Sequence, residues 1–152
     1  MEYSKLKVGD PAPEWTMMGT DNQEVALASF KGAKNVVLLF YPMDFSPVCS
    51  LQLPGYQARK SEFDQRSATI FGISTDSKWS HKAFADQLGL EFPLLSDYNR
   101  KASEAYGVLR AEGYTNRAVF VIDKEGIIRY IDVTEPSEQP DQNEVIKVLE
   151  TL

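Results

Sequence analysis

Residues Asn35 to Tyr41 read Asn-Val-Val-Leu-Leu-Phe-Tyr, a run with no polar alternation after Asn35. A strand with one wet face alternates apolar and polar side chains. An unbroken run suits a strand covered on both faces. This stretch therefore asks for a sheet with other layers packed above and below it. Lys31-Gly32-Ala33-Lys34 supplies a turn before the strand, and Pro42, which cannot donate to a sheet ladder, ends it.

The segment after the strand carries the chemistry. Ser46-Pro47 is a helix-start signal, because Ser is a good N-cap and Pro is tolerated at the first helical position. Cys49 is then expected about three residues into that helix. First-turn backbone N–H groups have no intrahelical partners, and the helix dipole is positive there. Both favour an anion, and cysteines at helix N-termini are activated as thiolates. Cys49 is the only cysteine among 152 residues. A lone cysteine with no such context usually behaves as a small buried hydrophobe. The Pro–Ser–Cys spacing at a strand-to-helix junction favours the reactive reading.

The remaining elements are set by pattern. Glu14 to Leu27 reads as a hairpin around a Gly19-Thr20-Asp21-Asn22 turn. The helix from Pro47 is expected to reach about Asp64, with Pro54-Gly55 inside it as either a hinge or a static kink. Thr69 to Ser74 is the next strand. Lys78 to Gly89 is helical, with Trp79, Phe84 and Leu88 placed in the core and His81 on its surface as a solvated or capping residue. Phe92 to Leu95 is a short strand, and Arg100 to Tyr106 a short helix stopped by Gly107. Arg117 to Ile122 and Ile127 to Val133 flank an Asp123-Lys124-Glu125-Gly126 turn. Asp141 to Leu152 is a terminal amphipathic helix with Val145, Ile146, Val148 and Leu149 apolar. The fold class expected is α/β, one domain over 1–152.

Composition narrows the partners. Hydrophobic residues are 43% and charged residues 25%, ordinary for a globular protein with a substantial core. Net charge is −6 with no basic cluster, so nucleic acid and anionic membranes are not expected partners. No apolar run approaches a membrane span. Met1 to Lys5 has no apolar signal-peptide core, and one cysteine permits no disulfide framework; a reducing cytoplasm is the simplest compartment. One His and one Cys cannot supply a zinc set, and neither GxGxxG nor GxxxxGK[ST] occurs, so no metal and no organic cofactor is expected.

Pro42-Met43-Asp44-Phe45-Ser46-Pro47-Val48-Cys49 is a full match to Pro, three residues, Ser or Thr, two residues, Cys, and in this it resembles the active-site pattern of the peroxiredoxins. Val8 to Pro13, Gly72 to Ser77 and Asn116 to Gly126 resemble further segments of that family, in the right order. The resemblance implies a thioredoxin-like fold, a mixed central sheet flanked by helices, with an N-terminal β-hairpin extension. It implies that Cys49 is the peroxidatic nucleophile and that Ser46 hydrogen-bonds thiolate and peroxide. Arg117 would stabilise the thiolate and the developing charge, and Pro42 would pack over Cys49. Gln52 departs from the pattern, since many members carry Glu there. With no second cysteine the chain resembles the single-cysteine branch near alkyl hydroperoxide reductase E and the bacterioferritin-comigratory proteins. Its partners would be a hydroperoxide and an external thiol reductant: thioredoxin-like, glutaredoxin-like or a small thiol. Monomers and homodimers both occur in that branch.

Rival readings remain. A thiol–disulfide oxidoreductase needs a CxxC pair, and Ser46 stands where the first cysteine would be. A peroxide-sensing relay or interaction module would share the Cys49 chemistry and differ in turnover. A holdase-type role leaves no mark on the sequence. A cysteine–histidine hydrolase lacks its signature around Cys49. Arg100, Arg110 and Arg129 compete with Arg117 for the cationic role, with Arg100 and Arg110 expected on the surface. Tyr41, Phe45, Leu51 and Tyr114 could line a pocket or an interface.

Overall fold

The apolar run lies at the heart of a sheet. In the computed structural model, which describes residues 5–134 and 142–152, the strands are β1 (Thr16–Gly19), β2 (Glu24–Ala26), β3 (Asn35–Phe40), β4 (Ala68–Ser74), β5 (Leu94–Ser96), β6 (Arg117–Ile122) and β7 (Ile128–Thr134). They form one sheet in the order β2-β1-β5-β4-β3-β6-β7. β3 runs parallel to β4 and antiparallel to β6; Phe40 sits opposite Ile73 on one side and Ala118 on the other. β5 is parallel to β4, and β1 joins it antiparallel. The hairpin β1–β2 thus extends one edge of a mixed sheet.

Helices cover the sheet: α1 (Cys49–Ala58), α2 (Lys60–Asp64), α3 (Lys78–Leu88), α4 (Lys101–Ala105) and α5 (Gln142–Glu150). Every residue of β3 is buried. Val37, Leu39 and Tyr41 pack with Leu53, Tyr56, Phe63, Phe84 and Leu149, drawn from α1, α2, α3 and α5. Val36, Leu38 and Phe40 pack on the other face with Trp15, Met17, Tyr106 and Phe120. Period-two alternation divides one apolar run between two cores. Leu38→Ala is expected to lower stability by about 2–5 kcal/mol, as cavity-forming core changes do. Urea unfolding tests this; a loss within about 0.5 kcal/mol, the range of a surface change, would contradict it.

Some expectations need correction. The helix expected from Pro47 to Asp64 is two helices, and the break falls at Arg59 (φ −106°, ψ 13°), not at Pro54-Gly55. Pro54 is accommodated inside α1. Gly55 faces the Gln142 side chain at the start of α5: a Cβ there would stand 2.7 Å from Gln142 Nε2, the end of a flexible side chain that could shift. In α3 the inward residues are His81, Phe84 and Ala85, at i, i+3 and i+4. Trp79 is 75% exposed and not core, whereas His81 is wholly buried and not on the surface. Asp141 and residues 1–4 lie outside the described residues. Among the described residues, no helix is long and apolar enough to cross a membrane.

Candidate active site

The antiparallel register brings two distant segments together. β3 ends at Phe40, and the chain turns through Pro42–Val48 into α1, whose first residue is Cys49. β6 begins at Arg117, beside the residue opposite Phe40. The start of β6 therefore meets the start of α1 at the end of β3. Arg117 Nη2 donates to Cys49 Sγ at 3.1 Å, and Nη1 donates to Gln52 Oε1. Gln52 follows Cys49 by three residues, so it shares that helix face. Cys49 is fully buried, and Arg117 and Gln52 are each 1% exposed. A guanidinium held by a rigid fork in a dry pocket acts on the sulfur with little solvent screening.

Ser46 and Pro42 stand where the sequence places them, on the loop between β3 and α1, and Pro42 is buried. The expected side-chain N-cap is not formed. The Ser46 carbonyl accepts from Ser50 N at 2.9 Å, while its buried Oγ has no hydrogen-bond partner among the described residues. Gln52 Nε2 is likewise buried and without a partner. A buried hydroxyl left open three residues before Cys49 has unused hydrogen-bonding capacity for a small polar molecule. Arg100 is exposed, as expected, and Arg110 donates to Asn116 at 2.7 Å and pairs with Glu112 at 3.2 Å. Arg129 pairs with Asp123 at 2.6 Å. Arg117 is thus the cation at Cys49. Of the aromatic and apolar candidates, Tyr41 is buried, whereas Phe45 and Leu51 are exposed.

A second buried group underlies the same loop, and sequence reasoning missed it. Asp44 accepts from Tyr41 Oη (2.6 Å) and Ser80 Oγ (2.8 Å), and it lies 2.8 Å from His81 Nδ1. Its own backbone N–H donates to Asp76 Oδ2 at 2.8 Å. His81 Nε2 lies 2.9 Å from the Leu95 carbonyl, which only accepts, so Nε2 carries a hydrogen. Burial above all, then the neighbouring Asp44 charge and the hydrogen bond to it, pushes the Tyr41 phenol well above its ordinary pKa. Tyr41 therefore remains a donor. The one available signal was Asp44 itself, a carboxylate inside a motif where it counts only as spacing.

Asp44, Asp76 and His81 bring ligand atoms within 4.8 Å of one another. Both Asp44 oxygens, Asp76 Oδ2 and both His81 nitrogens are already engaged in the hydrogen bonds above or with Ser74, so the group offers a metal no prepared coordination. A cleft of about 720 Å³ lined by Asn35, Lys124, Arg129 and Lys147 opens at the start of β3, the opposite end from Cys49.

Residues 8–131 match the model of the AhpC/TSA family. The chain is 39% identical over 140 residues to alkyl hydroperoxide reductase E of Mycobacterium tuberculosis, covering 90% of this chain and 92% of that one. It is 39% identical over 142 residues to peroxiredoxin-2 of Bos taurus, covering 86% and 71%. The crystal structure of reduced Plasmodium vivax 2-Cys peroxiredoxin superimposes with a TM-score of 0.89 at 30% identity, over 95% of this chain and 81% of that one. The fold is thus the mixed, thioredoxin-like α/β arrangement.

Proposed function

Because the chain belongs to the AhpC/TSA family, we propose that it is a thiol-dependent peroxidase that reduces hydrogen peroxide and organic hydroperoxides through a sulfenic acid on Cys49. The observation that carries this reading is the Arg117 guanidinium 3.1 Å from a buried Cys49 sulfur, with the open Ser46 hydroxyl on the adjoining loop. The Cys49 thiolate attacks one peroxide oxygen along the O–O axis. The O–O bond breaks, its electron pair leaves with the distal oxygen, and that oxygen takes a proton to depart as water or an alcohol. Arg117 and Ser46 hold the peroxide and offset charge that develops on its oxygens. Pro42 helps close the pocket to bulk water.

The sequence holds no second cysteine, so a thiol from outside it completes the cycle. That thiol condenses with the sulfenic acid, releasing water and forming a mixed disulfide. A second thiol then frees Cys49. With Cys49 fully buried, a protein reductant requires the first turn of α1 to open. Pro54→Ala would strengthen α1, since proline inside a helix costs about 3 kcal/mol relative to alanine. This variant is expected to keep the rate of peroxide attack and to slow reduction by a thioredoxin-like protein. Equal recycling rates in double-mixing stopped-flow would contradict the opening step.

Intact mass after one equivalent of hydrogen peroxide, with and without dimedone, tests the reading as a whole. Gain of one oxygen on Cys49 in well under a second, trapped by dimedone, is the expected result. A thiol that stays reduced for minutes overturns the peroxidase assignment. Rapid oxidation without multiple turnovers in any thiol system would favour the redox-relay reading.

A further inference from the structure

We propose that Asp44 is a positioning residue that holds Ser46 in its peroxide-binding place by fixing the strained backbone of Phe45. The proposal rests on the peroxidase reading above. Phe45 lies between Asp44 and Ser46 and adopts φ +68°, the left-handed region that a bulky side chain rarely takes. Such a conformation persists only where the surroundings over-determine it. The Phe45 side chain is 48% exposed, and its ring rests against Phe84 at 4.9 Å between centroids. A long turn hydrogen bond, from Ser46 N to the Met43 carbonyl at 3.4 Å, also spans Asp44 and Phe45, so the other corner of that turn, Asp44, is where the surrounding fold can apply the restraint.

Asp44 supplies it. Its side chain is 1% exposed and is gripped by Tyr41 at the end of β3 and by Ser80 and His81 on α3. Its N–H is tied to Asp76, which Ser74 Oγ also meets, on the segment leaving β4. His81 is anchored in turn on the Leu95 carbonyl of β5. His81 Nδ1 lies 2.8 Å from Asp44 Oδ2 and 3.3 Å from Tyr41 Oη, so the imidazole is wedged between the carboxylate and the phenol. Three strands and a helix therefore converge on one residue of the active-site loop. Buried ionic groups of this kind are often no more stabilising than an apolar replacement, so stability alone is a weak reason for this one. The downstream consequence is Ser46, whose buried Oγ has no partner among the described residues and depends on the backbone for its aim.

The test compares oxidation of Cys49 by hydrogen peroxide with its alkylation by iodoacetamide, both by stopped-flow. The wild type is measured first; slow oxidation there would sink the peroxidase reading itself, separately from this proposal. Asp44→Ala is expected to slow oxidation about tenfold to a hundredfold, the cost of a misplaced group, with alkylation unchanged or faster. Asp44→Asn, whose Oδ1 can still accept from Tyr41 while its Nδ2 can donate to Ser80 Oγ and a neutral His81 Nδ1, is expected to restore part of that loss. In a Ser46→Ala background, Asp44→Ala should add nothing, because the two changes remove one effect. Wild-type oxidation in folded Asp44→Ala protein overturns the proposal. So does a parallel fall in oxidation and alkylation, or full additivity with Ser46→Ala. If Asp44→Ala does not fold, His81→Gln and Ser80→Ala each remove one grip and are read by the same criteria.

Discussion

Cys49→Ser protein is expected to consume peroxide no faster than buffer. Cys49 is the only thiol in the sequence, and a serine hydroxyl cannot supply a comparable nucleophile at neutral pH. The change is small in volume, and a hydroxyl can still accept from Arg117 Nη2, so the fold should persist. Thermal unfolding of the variant should stay close to wild type while a coupled peroxide-consumption assay reads zero. Residual turnover in the folded variant would mean that another group carries the chemistry.

Arg117→Met should slow the oxidation of Cys49 by about 10²–10³-fold, the usual cost of removing one preorganised donor from a developing anion. Its two terminal nitrogens serve different partners, Nη2 the sulfur and Nη1 the Gln52 amide, so geometry matters as well as charge. Arg117→Lys restores a cation without the fork and should recover only part of the rate. The rate constant for a single oxidation, followed at several peroxide concentrations, separates this effect from recycling. A loss below about threefold in Arg117→Met would remove Arg117 from the machinery, since such a factor lies well under the cost of one donor.

Much of this was readable from residue order. The unbroken Asn35–Tyr41 run demanded cover on both faces, and β3 has it. Hairpins announced by Gly19-Thr20-Asp21-Asn22 and by Asp123 to Gly126 lie where the turn residues put them. Serine and cysteine spacing marked the loop and helix that carry Cys49. Side-chain orientation on α3 was not readable, because Trp79 and Phe84 suggest one apolar face while the chain buries His81, Phe84 and Ala85. A histidine goes inside only when partners await it, and Asp44 and the Leu95 carbonyl come from remote segments. The break at Arg59 was likewise not readable: Pro54 and Gly55 carry the stronger local signal, yet both lie within α1. Gln52 could be read only as one turn beyond Cys49, because its partner Arg117 enters from β6.

The placement of β3 between β4 and β6 also bears on how the chain is made. Its parallel partner is the next strand to emerge from the ribosome, but its antiparallel partner pairs Val36 with Ile122 and so comes from the last third of the sequence. Until that segment is synthesised, the most apolar stretch of the protein has an open edge of unpaired amides and carbonyls. Such an edge can pair with neighbouring nascent chains. Folding of this chain therefore passes through a vulnerable interval, whose length depends on how quickly β6 closes over β3.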